Sequence, residues 1–194
     1  PGVGGYALKA QDRSFSSTSA NVLERMRIYN NTLIAPTQGA WENGLAPAMT
    51  AEFLGVGMRE CEIHNNTLNN TLSMAGGSRG TRNRIHHNFF NLGRGRYAYA
   101  IEASMSDLEI DQNHFFGGLY PIALWGGNPQ NHNIHHNIFE GASAGVFAGQ
   151  ALLNYSSPIT NLRFLNNTII DNGGIGRIFA LHASSTYEAR NNLI

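Results

Sequence analysis

An apolar or small residue, then asparagine three positions later, then another apolar residue two further on: this pattern recurs seven times along the chain. The copies are Ile28/Asn31, Ile63/Asn66, Ile85/Asn88, Ile110/Asn113, Ile134/Asn137, Phe164/Asn167 and Ala189/Asn192, trailed by Leu33, Leu68, Phe90, Phe115, Phe139, Ile169 and Ile194. Counting back from each asparagine, positions five and three are mostly apolar or small, as in Met26/Ile28, Cys61/Ile63, Leu108/Ile110 and Leu162/Phe164, with polar residues between them. A period of two is that of a strand with one buried face. A second strand follows the asparagine turn in most copies, at residues 99–103, 121–125, 145–148 and 177–181. Residues 6–10 resemble the first of these and imply a partial turn ahead of the first asparagine.

The asparagines lie 35, 22, 25, 24, 30 and 25 residues apart. A period of roughly 20 to 50 residues marks a stacked-repeat architecture. Two or three short strands per period, without a helical stretch and without the leucine spacing of leucine-rich repeats, predict an all-β, single-stranded parallel β-helix over residues 1–194. It has about seven to eight turns, counting one per asparagine copy plus the partial turn, and forms one elongated solenoid. Stacked at about 4.8 Å, the asparagine amides can donate to and accept from their neighbours above and below, with spare capacity for turn backbone. Asparagine also tolerates the left-handed conformation of a sharp corner. The longer gaps predict loops from Pro36 to Phe53 and from Gln150 to Thr160. No polar or helical cap is visible at either end, so the chain reads as part of a longer protein whose exposed end turns could stack on other copies.

Composition agrees with strands and tight turns: 22 glycines and only 13% charged residues. Lys9 is the single lysine, and 13 basic residues balance 13 acidic ones, which disfavours nucleic acid as a partner. No apolar run is long enough to span a membrane. Cys61 is alone, falls in the inward phase of its strand and is expected to be a buried filler.

Three outward features can carry chemistry. Four positions before the asparagine the column reads Arg27, Glu62, Arg84, Glu109, Asn133, Arg163, Glu188, whose alternating signs predict vertical ion pairs. Two positions before it the column reads Tyr29, His64, His86, Asp111, His135, Leu165, Arg190, placing Asp111 between His86 and His135. That cluster can form a polar stack, contact a substrate, or hold a metal. The third feature is the corner around Arg94, Arg96, Tyr97, Tyr99 and Glu102, with Tyr120 and Trp125 on the next pass. Arginine forks suit carboxylates and tyrosine faces suit sugar rings. Asp107, Glu109 and Asp111 alternate along one strand and are not expected to converge into a cation site.

The repeat resembles those of the right-handed parallel β-helix superfamily of pectate lyases and their relatives. The resemblance covers essentially the whole chain. It implies a right-handed coil, a secreted or cell-surface location, and a polysaccharide or oligosaccharide partner, with calcium as a cofactor in some members. By that resemblance Arg94 or Arg96 would meet a substrate carboxylate, and Tyr97, Tyr99 or a column histidine would act as base, with Glu102 beside them. His86, Asp111, His135, Tyr120 and Trp125 would contact substrate. The polygalacturonase and alginate-epimerase signatures of the superfamily are absent from this sequence. Three functions stay open: a lyase or other polysaccharide-processing enzyme, a non-catalytic carbohydrate-binding or adhesive module, and a surface or filament component that self-associates end to end.

Overall fold

In a computed structural model, residues 6–11, 22–34, 49–54, 57–74, 80–93, 99–118, 120–124, 129–141, 149–153, 158–170 and 175–194 are described. Their regular elements are all strands, and every pairing is parallel. The strands fall into three long sheets, in which spatial order follows chain order. The first contains Tyr6–Gln11, Met49–Leu54, Thr71–Met74, Tyr99–Ala103, Tyr120–Leu124, Gly149–Leu153 and Ile175–Ala180. The second contains Arg27–Tyr29, Glu62–His64, Asn83–His86, Leu108–Asp111, Asn133–His135, Leu162–Leu165 and Tyr187–Arg190. The third contains Thr32–Leu33, Thr67–Leu68, Phe89–Gly93, His114–Gly117, Ile138–Glu140 and Thr168–Ile170. A further pair joins Val22–Glu24 to Gly57–Arg59. Each pass of the chain thus adds one strand to the second sheet, one to the third and one to the first, an arrangement consistent with a β-solenoid.

The asparagine motif builds the corner between the second and third sheets. The residue before each asparagine has positive φ, as at Asn65 (54°), His87 (54°), Gln112 (54°) and His136 (55°). That left-handed step ends one strand and turns the asparagine inward. The side-chain amides then bond from rung to rung: Asn31 to Asn66 at 3.1 Å, Asn66 to Asn88 at 3.0 Å, Asn88 to Asn113 at 3.0 Å, and onward to Asn192. Each Oδ1 also accepts the backbone N–H of the preceding rung, and each Nδ2 donates to main-chain carbonyls. The buried amides are therefore satisfied internally.

Inside this frame the apolar columns stack. Ile63, Ile85, Ile110, Ile134 and Phe164 line the second sheet, and Leu68, Phe90, Phe115 and Phe139 the third, all buried. Phe90, Phe115 and Phe139 stack face to face at 5.1 and 4.9 Å. A buried phenylalanine contributes about 2–3 kcal/mol through area removed from water. Cys61 is the buried filler its phase predicts, and burial pushes its thiol pKa up.

Two segments differ from the sequence reading. Met49–Leu54 and Gly149–Leu153, placed within or at the edge of loops, are strands of the first sheet. Gly149–Leu153 shows no clean alternation, and first-sheet strands such as Thr71–Met74 and Tyr120–Leu124 are buried on both faces, which erases the period-two signal. Met49–Leu54 does alternate, with Met49, Ala51 and Phe53 against Thr50 and Glu52, but sits inside a long gap between asparagine copies. The proposed strand at 145–148 lies outside the described residues.

Candidate functional site

The outer face of the second sheet carries a connected set of polar side chains. Arg27 and Glu62 form the expected vertical pair at 3.2 Å, as do Arg163 and Glu188 at 3.5 Å. Between them the pattern changes from vertical to diagonal. Glu62 Oε1 reaches His86 Nε2 of the next pass at 2.9 Å, Arg84 grips Asp111 through Nε (2.8 Å) and Nη2 (2.7 Å), and Glu109 Oε1 reaches His135 Nε2 at 3.0 Å. The cause is Asp111. It is 1% exposed, and a carboxylate so far from water requires a counter-charge and hydrogen-bond donors. Arg84 supplies both and leaves the vertical column, and its neighbours Glu62 and Glu109 turn to the imidazoles. The hydrogen bond from His86, aided by the charges of His86, His64 and Arg27, holds the Glu62 carboxyl below its usual range.

The histidine column is a stack. Tyr29 and His64 lie parallel at 5.1 Å, and His64 and His86 at 4.9 Å. Because the rings face each other, they offer edges rather than faces outward, and those edges continue the hydrogen-bonding. His64 Nδ1 meets the Asn65 side chain at 3.1 Å. His86 Nδ1 meets His87 Nδ1 at 2.7 Å, and two passes further His135 Nδ1 meets His136 Nδ1 at 2.8 Å. In both pairs the two rings stand nearly perpendicular.

The outer members of these pairs sit at the left-handed corner, and there an open groove of about 490 Å³ runs across the passes. Asn65, His87, Gln112 and His136 follow one another along one side; Phe89, His114 and Ile138 form the other. His114 is anchored to Glu140 at 2.9 Å. None of the described residues lining this groove is lysine or arginine.

His86, Asp111 and His135 do adjoin along the column, through the register His86↔Asp111↔His135. Tyr99 and Tyr120 are 7% and 8% exposed, with ring centroids 5.9 Å apart, so they pack together instead of presenting faces outward. Glu102 accepts from Ser73 Oγ at 3.0 Å on the first sheet. Arg94, Arg96, Tyr97 and Trp125 lie outside the described residues.

The expectation that Glu109 and Asp111 would not converge is overturned. Side chains two apart on a strand share a face, and ligand atoms of Glu109, Asp111 and His135 all lie within 4.8 Å of one another. The set still does not fit calcium. A calcium site needs six or more oxygen donors; here one of three groups is an imidazole, and both Asp111 oxygens already face a guanidinium.

The sequence columns missed His87 and His136, and placed Glu62 only in a vertical ion pair. The signal was present in the twice-repeated Ile-His-His-Asn (85–88 and 134–137), each preceded one pass earlier by an outward glutamate. Reading columns vertically hid the diagonal contact. Among the described residues no helix is long and apolar enough to cross a membrane. No family model, curated protein or solved structure matches the chain.

Proposed function

We propose that this chain is a right-handed parallel β-helix of the pectate lyase-like kind, of about seven to eight turns, that processes polysaccharide at or outside the cell surface, and that it acts as a lyase on an acidic polysaccharide laid along the corner groove. Right-handedness rests on the strong preference of parallel crossovers for that hand. The observation that carries the reading is the straight run Asn65, His87, Gln112, His136, one polar side chain per pass, along an open groove. The run repeats at the strand spacing of about 4.8 Å, which suits a linear polymer of similar repeat better than a compact ligand. In the lyase step the proton beside the uronate carboxylate is removed, its bonding electrons form the new carbon–carbon double bond, and the glycosidic C–O bond breaks. The departing oxygen takes a proton from water.

The test is incubation with a panel of uronate polysaccharides, monitored at the absorbance of the unsaturated product. Product formation that falls on crowding the groove with Gln112→Trp supports the proposal; absence of product after long incubation removes the lyase reading. A second reading, non-catalytic glycan binding, is favoured by the lack of lysine or arginine among the described groove residues. It predicts saturable binding in affinity electrophoresis that the same variant weakens, without turnover.

A further inference from the structure

The two histidine pairs share the same two hydrogen bonds. In each, a glutamate accepts from the inner imidazole: Glu62 from His86 Nε2 at 2.9 Å, and Glu109 from His135 Nε2 at 3.0 Å. An ionised carboxylate can only accept, so the inner ring must carry its proton on Nε2. A neutral imidazole has one N–H, and its Nδ1 is therefore a bare acceptor. The partner 2.7 or 2.8 Å away, Nδ1 of His87 or His136, must then be the donor. Once Nδ1 carries the proton, Nε2 on the far side of the outer ring is a lone pair. His87 and His136 are both exposed and both line the corner groove.

We propose that Glu62–His86–His87 and Glu109–His135–His136 are two copies of a proton relay, each fixing the tautomer of its outer histidine so that Nε2 faces the groove as a general base. This rests on the polysaccharide reading for the identity of the proton removed; the relay itself rests on the contacts alone. The outer imidazoles are the catalytic residues, since they would touch substrate. The inner histidines and the glutamates are positioning residues, as a buried carboxylate–imidazole pair is elsewhere in acyl-transfer chemistry. When the outer ring takes a proton, the positive charge can be shared inward toward the glutamate, which stabilises it. Around the first relay stand Arg27, paired with Glu62, His64, stacked on His86, and the register neighbours Arg84 of Glu62 and Asp111 of His86; around the second stand Asp111, beside Glu109 and His135, and Arg84, clamped on Asp111. The two outer rings are two strand spacings apart, roughly 10 Å. That is too far for acid and base on one bond, so the relays serve two equivalent subsites along one polymer. The intervening pass carries Asp111 and Gln112 in place of the two histidines, and the preceding pass carries His64 and Asn65, so only two of these four passes present a base.

The test has two arms. Long-range nitrogen–proton NMR in mildly alkaline buffer reads each tautomer directly. His86 and His135 are expected with protonated Nε2, and His87 and His136 with protonated Nδ1. Glu62→Leu should release that preference at His86 and His87 while leaving His135 and His136 unchanged as an internal control. The opposite tautomers in the wild-type protein, or no response to Glu62→Leu, overturn the relay. The second arm measures turnover in His87→Asn, His136→Asn and the double variant. Asparagine is the residue the chain itself uses at this left-handed position in Asn65, so the corner is retained. Each single variant should keep about half the rate and the double variant should lose about 100-fold or more, with KM little changed. A double variant that turns over normally overturns the base role even if the tautomers are as expected. A wild-type protein with the expected tautomers and no lyase product sinks the lyase reading and the base role together, while the relay geometry stands.

Discussion

Each pass turns two comparable corners, and they are built on different terms. Both use a residue of positive φ followed by an inward side chain: His87, Gln112 and His136 precede the asparagine ladder, while Glu60 (55°), Arg82 (55°), Asp107 (52°) and Asn131 (57°) open the second sheet from the other side. At the ladder corner the inward residue is asparagine on every described pass, and every amide is bonded. At the opposite corner the inward column is Met26, Cys61, Asn83, Leu108, His132 and Leu162, an apolar column with two polar members. Asn83 finds partners, accepting the Cys61 N–H at 3.0 Å and donating to the Met58 carbonyl at 2.8 Å. His132 is 1% exposed, and neither ring nitrogen has a partner. Buried polar side chains at similar depth thus range from fully laddered to wholly unsatisfied. Depth alone does not decide whether a polar group stabilises; membership in a satisfied set does.

The largest effect is expected from breaking the ladder at its middle. Asn113→Leu removes the acceptor for the backbone N–H and side chain of Asn88 and the donor to Ile85 and Asp111 carbonyls and to Asn137. Stranding several buried groups at once should cost about 3–5 kcal/mol, read as a lower urea midpoint at unchanged m-value. Asn192→Leu, at a half-buried rung, should cost about 1 kcal/mol. Equal losses at both rungs would show that the ladder acts through local turn propensity and not through rung-to-rung bonding.

The next effect in size is a pH dependence. Burial pushes the His132 pKa from 6.5 down to about 4. Above pH 6.5 the imidazole is neutral folded or unfolded and contributes nothing to the pH slope. As pH falls from 6.5 toward 4 the unfolded chain binds the proton first, so stability is lost through that window, by roughly 3 kcal/mol in all. His132→Leu should flatten this loss relative to wild type, and near pH 7.5 it should add about 1–2 kcal/mol by removing an unsatisfied polar ring. Identical pH slopes in thermal denaturation of the two proteins would show that the ring is hydrated.

A smaller change is expected at Asn83. Asn83→Leu restores the apolar column but strands the Cys61 N–H and the Met58 carbonyl, for a net loss of about 1–2 kcal/mol. The sign is opposite to that of His132→Leu at the equivalent position two passes away, and the two effects should add. A gain at both sites would mean that the column simply prefers leucine.

How far these features could be read in advance follows the same division. The ladder corner was legible because Asn31 to Asn192 repeat a single residue in a single phase, and the alternation around Ile63 or Ile110 faces water on one side. The first sheet was only partly legible. Thr71–Met74 is enclosed on both faces, so period two vanishes there, and the alternation of Met49–Leu54 falls inside a gap that reads as a loop. The site was legible as columns and not as contacts. Asp111 could be placed between His86 and His135, but its burial, which draws Arg84 off the vertical ladder and frees Glu62 and Glu109 for the imidazoles, depends on packing that no spacing encodes. Nor could the spacing show that Tyr99 and Tyr120 turn toward each other.

The smallest predicted effect asks whether the two corners differ in backbone as well as in side chain. Gln112 (φ 54°) at the ladder corner and Arg25 (φ 52°) at the other are exposed left-handed residues for which the chain elsewhere uses asparagine, as at Asn65 and Asn131. Asparagine tolerates this conformation better than glutamine or arginine because its short side chain can hydrogen-bond locally. Gln112→Asn and Arg25→Asn should therefore each stabilise by about 0.5 kcal/mol, measured as small rises in the urea midpoint. Arg25 also loses a 3.9 Å contact with Glu24, an exposed pair of little weight. Matching gains would locate the whole difference between the corners in the inward side chains, whereas a gain at Gln112 alone would mean that the ladder also sharpens the turn it stands on.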